Sequence, residues 1–180
     1  KDSECKVGNY TWTYSAQRGK ATVKGVSPKT GDVVIPQKLG KYVVTAIGED
    51  AFKNCNGLTS VEMPPTVTSI GKFAFSGCDS LAKVEIPTSV KSVEGGTFQE
   101  CKSLTSVTMP EGVTNIGYHA FSDCGKLASV TIPPSVTAIG NDAFSGCSGL
   151  TSVRIPGNVK RIEEAAFKNC KGLTTLELSK

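Results

Sequence analysis

Leu127-Ala128-Ser129-Val130-Thr131-Ile132-Pro133, followed by Val136, Ile139-Gly140, Ala143-Phe144 and Cys147, decides the architecture, because this order of residues returns every 23 positions. Leucine recurs at Leu58, Leu81, Leu104, Leu127, Leu150 and Leu173. Phenylalanine keeps the same step at Phe52, Phe75, Phe98, Phe121, Phe144 and Phe167, and cysteine at Cys55, Cys78, Cys101, Cys124, Cys147 and Cys170. Proline follows at Pro64, Pro87, Pro110, Pro133 and Pro156. Such a fixed period without an insertion is the mark of stacked structural units.

Within the unit, Leu-x-x-Val-x-Ile alternates as a strand with one buried face should. Proline ends the strand because it has no N–H for a neighbouring rung. Val136 and Ile139 mark a second short extended stretch, and Gly140 fits a bend, although Glu94 and Glu163 hold that column in two copies. Ala-Phe-x-x-Cys is too short for a full helix and predicts a single helical or 3₁₀ turn. A unit of this size cannot bury its own apolar face, so each coil must cover the next. Strand spacing of about 4.8 Å gives six coils a length of roughly 29 Å.

The expected fold is therefore an α/β-type repeat solenoid. A right-handed coil carries a parallel β-sheet on one face and short turns or 3₁₀ segments on the other. Residues 33–180 form this solenoid in about six repeats, the first lengthened and the last truncated at Leu176-Glu177-Leu178-Ser179-Lys180. Pro36 to Ile47 spans eleven residues where Pro64 to Ile70 spans six, which places five inserted residues around Gly40-Lys41-Tyr42. Residues 1–32 are expected to be a β-hairpin cap: Tyr10, Trp12 and Tyr14 alternate with threonines, and Ala21–Gly25 returns through a turn at Gln17-Arg18-Gly19. A first coil left bare would expose an apolar face and a strand edge, so the aromatic row is expected to pack on it.

Charge is unevenly placed. Residues 1–48 hold 8 Lys/Arg against 3 Asp/Glu, and residues 49–180 hold 12 against 13. This basic head is read as solvation of the cap rather than as a binding signal. No run of Lys/Arg or aromatic–basic alternation suggests nucleic acid. No segment approaches the roughly 18 apolar residues of a membrane span, so no membrane insertion is expected in this segment. The chain opens on the polar Lys1-Asp2-Ser3-Glu4-Cys5, and a signal peptide is presumed removed.

The pattern Leu-x-x-Val-x-Ile-Pro-x-x-Val-x-x-Ile-Gly-x-x-Ala-Phe-x-x-Cys resembles the BspA-type leucine-rich repeats over residues 33–180. The lead-in Val33-Val34-Ile35-Pro36, running on to Ile47-Gly48 and Ala51-Phe52, is similar to that family's usual start. The resemblance implies a secreted or cell-surface protein of a host-associated microbe. It also implies a protein ligand, with host extracellular-matrix or plasma proteins as the expected class.

Catalysis and metal binding find little support. Ladder cysteines at equivalent sites stack with parallel Cβ vectors, which do not converge as a disulfide requires, and their spacing fits no zinc signature. They are expected to be reduced and buried, leaving Cys5 as the one exposed or paired thiol. A single histidine, His119, with no nucleophile motif and no phosphate loop, argues for a non-enzymatic protein without a cofactor.

Function is then expected in columns that vary while the ladder repeats. Lys72, Gly95, Tyr118, Asn141 and Glu164 form one such column, and Phe73, Gly96, His119, Asp142 and Ala165 the next. Phe73, Tyr118 and His119 are expected to be exposed and to bind protein. Arg154, Lys160 and Arg161 form a second candidate, a basic spot. The leading reading is a binding or adhesion module; the alternative is a structural spacer within a longer surface protein.

Overall fold

Alternating aromatic and threonine residues build the cap, and a polar strand ahead of them extends it. In the computed structural model, which describes residues 1–180, β1 (Ser3–Val7) pairs antiparallel with β2 (Tyr10–Gln17), and β2 with β3 (Lys20–Ser27). β1 lacks apolar alternation and is largely exposed, so only the β2–β3 hairpin was legible in the sequence. Trp12 and Tyr14 are buried, and the Trp12 ring meets Phe52 edge-on at 6.3 Å, closing the apolar end of the first coil.

Each coil then runs through three walls. The first holds the Leu-x-x-Val-x-Ile strands: β4 (Thr30–Val34), β7 (Gly57–Glu62), β9 (Lys83–Glu85), β11 (Ser106–Thr108), β13 (Ser129–Thr131), β15 (Ser152–Ile155) and β17 (Thr175–Leu178). The ladders between them are parallel and in register, as in Ser129↔Ser152 and Ser152↔Thr175, apart from a one-residue shift between Gly31 and Asp32 where β4 pairs with β7. The second wall begins at the inserted residues, which form a hairpin of β5 (Lys38–Leu39) and β6 (Tyr42–Ile47). It continues through β8 (Ser69–Ile70), β10 (Ser92–Val93), β12 (Asn115–Ile116), β14 (Ala138–Ile139) and β16 (Arg161–Ile162). Because β3 pairs parallel with β6, the cap is continuous with this wall.

The third wall corrects the α/β expectation: it contains no helix and no 3₁₀ segment, so the chain is a β-solenoid with turns. Backbone geometry gives the reason. Phe73 (φ 56°) and Gly77 (φ 72°) lie in the left-handed region, and the same two columns do so in every coil, which breaks any right-handed helix. Amides alternate in use. Ala74, Ser76 and Cys78 donate to the carbonyl three residues back, at 3.3, 3.1 and 3.3 Å. Phe73, Phe75 and Gly77 donate instead to Gly95, Thr97 and Gln99 of the next coil, at 3.0, 2.9 and 2.8 Å. No N–H in this run is left over for a helical ladder.

Inside, the six repeated phenylalanines form one stack from Phe52 to Phe167, with centroids 5.0–5.6 Å apart and planes within 13° of parallel. Each thiol from Cys78 onward donates to a phenylalanine carbonyl of the preceding coil: Cys78 to Phe52, Cys101 to Phe75, Cys124 to Phe98, Cys147 to Phe121 and Cys170 to Phe144, at 3.1–3.2 Å. The cysteines therefore act as small apolar donors, and all seven are free. Along the phenylalanine, cysteine and leucine ladders, burial weakens only in the last coil. Phe167, Cys170 and Leu173 are half-buried, where full burial of every ladder residue was expected, because one neighbour covers them instead of two. No helix is long and apolar enough to cross a membrane.

Candidate functional site

At the corner where the second wall turns into the third, the backbone is held in a conformation that ordinary side chains avoid. Asp50, Phe73, Gly96, His119, Asp142 and Ala165 occupy one column, with φ between 51° and 66°. Glycine, asparagine and aspartate tolerate this region; a phenylalanine there costs on the order of 1 kcal/mol or more. Phe73 and His119 are thus kept in place against local preference by the hydrogen bonds of the wall, Phe73 N to Gly95 O and His119 N to Asn141 O.

Two glycines make room for the rings. Phe73 folds over Gly96, and Tyr118, one coil further on, folds back over Gly95; a β-carbon at either glycine would strike the ring above it. The rings meet over this pair with centroids 6.3 Å apart and planes at 65°, a favourable edge-to-face contact. Lys53 places its ammonium 5.4 Å from the centroid of Phe73, and Lys72 lies 5.8 Å from that of Tyr118. His119 stands perpendicular to Tyr118 at 6.1 Å. Its Nε2 comes within 3.9 Å of Asp142 Oδ2, too long for a hydrogen bond, and its Nδ1 is buried without a partner.

Phe73, Tyr118 and His119 therefore do come together, in a different state from that expected. Tyr118 is exposed at 39%, whereas Phe73 and His119 are half-buried. Tyr118 is the one aromatic residue among the exposed large apolar side chains. Lys53 lies outside the two columns in which function was expected, whereas Lys72, Gly95, Gly96 and Asp142 lie in them but were not among the expected binding residues. The available signal was the Gly95-Gly96 pair, which empties two columns beside the two bulkiest occupants.

The second candidate is divided between walls. Arg154 lies on β15 in the first wall, where its Nε donates to Ser179 Oγ at 2.8 Å beside a groove of about 640 Å³. Arg161 lies on β16 in the second wall, with Nε 2.7 Å from Glu163 Oε1, and Lys160 precedes it. The corner Pro156-Gly157-Asn158 separates them, so Arg154, Lys160 and Arg161 do not form the single spot expected.

Ionisable groups elsewhere serve structure. Asp32 is held below the usual carboxylate range by hydroxyl donors on Thr59 and Ser60, at 2.7 and 2.8 Å. Burial raises the ladder thiols, pushing Cys101 and Cys147 up to about 12. They are protonated donors at neutral pH, not reactive thiolates.

The family model of the BspA type leucine rich repeat region matches residues 32–151 in six copies. The chain belongs to this family. The leucine-rich repeat protein of T. pallidum is 32% identical, with a TM-score of 0.85; the match covers 92% of this chain and 78% of that one. A leucine-rich repeat protein from Bacteroides ovatus is 30% identical, with a TM-score of 0.72 over 96% of this chain. This BspA-type chain spans about half of that protein, 52% of its length. Among curated proteins, none matches the chain.

Proposed function

We infer that this BspA-type solenoid is a non-enzymatic, secreted or cell-surface protein-binding module, and that the aromatic corner is where it binds. The observation carrying this reading is the Phe73–Tyr118 pair seated on Gly95-Gly96 and flanked by Lys53 and Lys72. Rigid aromatic anchors beside cations are the side chains that dominate protein interfaces. Phe73 is held on a strained backbone and both rings are seated on glycines of a repeating scaffold, so little side-chain entropy remains to be lost on binding. Family membership supports the surface setting, and the ligand proposed is a host extracellular-matrix or plasma protein.

The test is to immobilise the protein and present purified matrix and plasma proteins singly. At least one is expected to bind saturably, and Phe73→Ser with Tyr118→Ser is expected to weaken it by more than about 1 kcal/mol. Unchanged affinity, with loss on altering Arg154 and Arg161, would move the site. Failure of every protein to bind would favour the spacer reading.

A further inference from the structure

The second wall carries a feature that the aromatic corner does not use. Its outward columns are Thr45, Thr68, Lys91, Thr114, Thr137, Lys160 and, beside them, Ala46, Ser69, Ser92, Asn115, Ala138, Arg161. Neither column contains a carboxylate, while wall one carries Asp32, Glu62, Glu85 and Glu177. The hydroxyls are fixed: Thr68 donates to the carbonyl of Thr45, Thr114 to Lys91 and Thr137 to Thr114, at 3.2–3.3 Å.

Because β3 pairs with β6, the row runs on into the cap. There Arg18 and Lys20 line a groove of about 530 Å³ with Ser15, Thr22 and Thr45. Arg18, Lys20, Lys91 and Lys160 take part in no ion pair, whereas Arg161 is bound to Glu163. Counting strands from β3, Lys20, Lys91 and Lys160 fall three spacings apart, or roughly 14 Å at each step. The result is a carboxylate-free band of hydroxyls about 29 Å long, with cations near its two ends and its middle, Lys20 of the cap standing opposite Val43, two residues before Thr45.

We propose that this band binds a linear acidic polysaccharide laid along the solenoid axis. Spaced cations meet sulfate or carboxylate groups, and the threonine and serine hydroxyls between them meet sugar hydroxyls. The columns present no aromatic ring on which a nucleic-acid base could stack. They offer no deep apolar pocket of the kind that anchors a protein partner. The proposal does not depend on the aromatic corner, which faces the adjoining wall.

Dextran sulfate is the probe, with neutral dextran as control, titrated against the whole chain at 50 and 300 mM salt. Saturable binding that weakens with salt is expected, with none to neutral dextran. Lys20→Glu with Lys91→Glu and Lys160→Glu is expected to lower affinity at least tenfold. Lys102→Glu with Lys126→Glu and Lys168→Glu, an equal charge change on exposed residues away from the band, is expected to lower it less than threefold. Unfolding midpoints and a Lys→Gln version of the band variant distinguish lost binding from lost structure, since the glutamine version keeps the band free of acids. Equal losses in the two triple variants would overturn the proposal, as would no binding at 50 mM salt. Tighter binding to anionic phospholipid vesicles or duplex DNA than to dextran sulfate would also overturn it.

Discussion

Raising the pH should unfold this protein through its buried cysteines. Cys78, Cys101, Cys124 and Cys147 are buried, and each donates its S–H to a carbonyl of the preceding coil. Loss of contact with water raises all four above their ordinary value of 9.0, to about 12 for Cys101 and Cys147. A raised folded-state pKa stabilises fully below the unfolded value, and that stabilisation is lost as pH climbs from there towards the folded value. At pH 10 a thiol moving from 9.0 to about 12 accounts for a loss on the order of 1 kcal/mol relative to neutral pH. Cys101 and Cys147 together give roughly 2–3 kcal/mol, and Cys78 and Cys124 add to the loss in the same direction, a large share of the stability of a chain this size.

The assay is urea unfolding followed by circular dichroism at pH 7.5, 9 and 10, with reductant present. The comparison is with Cys101→Ala and Cys147→Ala combined. That variant starts from lower stability but should lose roughly 2–3 kcal/mol less between pH 7.5 and 10. The same pH-dependent loss in both proteins would refute the reasoning.

Removing a ring from the middle of the internal stack, as in Phe98→Ala or Phe121→Ala, should destabilise by about 3–5 kcal/mol in a denaturant titration, and Phe167→Ala at the half-covered coil by less. Gly96→Val should displace the Phe73 ring and lose the Phe73–Tyr118 contact, visible as a changed near-ultraviolet circular dichroism signal with the far-ultraviolet signal retained. All seven cysteines should react with a thiol reagent in denaturant without prior reduction, whereas in the native protein Cys5 should react fastest.

The solenoid was legible because the ladder residues repeat for one physical reason, burial against identical neighbours. The third wall was less so. Reading Ala-Phe-x-x-Cys as a helical turn assumed that its amides bond along the chain, whereas half of them bond across to the next coil. The left-handed columns were hidden because their occupants include Phe73, Glu100 and Ala165 rather than glycine or asparagine alone. β1 escaped notice because it is a polar edge strand. At the candidate site the bulky residues were visible as departures from their columns, but whether they stand in solvent or fold onto a neighbour depends on the adjacent coil. Gly95 and Gly96 decide that, and their meaning appears only when the coils are stacked. The basic spot failed for a related reason: Arg154 and Arg161 are close in sequence but separated by a proline corner.

The most direct test of the account is amide chemical-shift mapping of the labelled protein as a matrix or plasma protein captured in the binding test is titrated in. Perturbations are predicted at Lys53, Lys72, Phe73, Gly95, Gly96, Tyr118 and His119, leaving the first-wall strands β9, β11 and β13 unchanged. Perturbations confined to the first-wall strands, with the Phe73–Tyr118 corner silent, would contradict it.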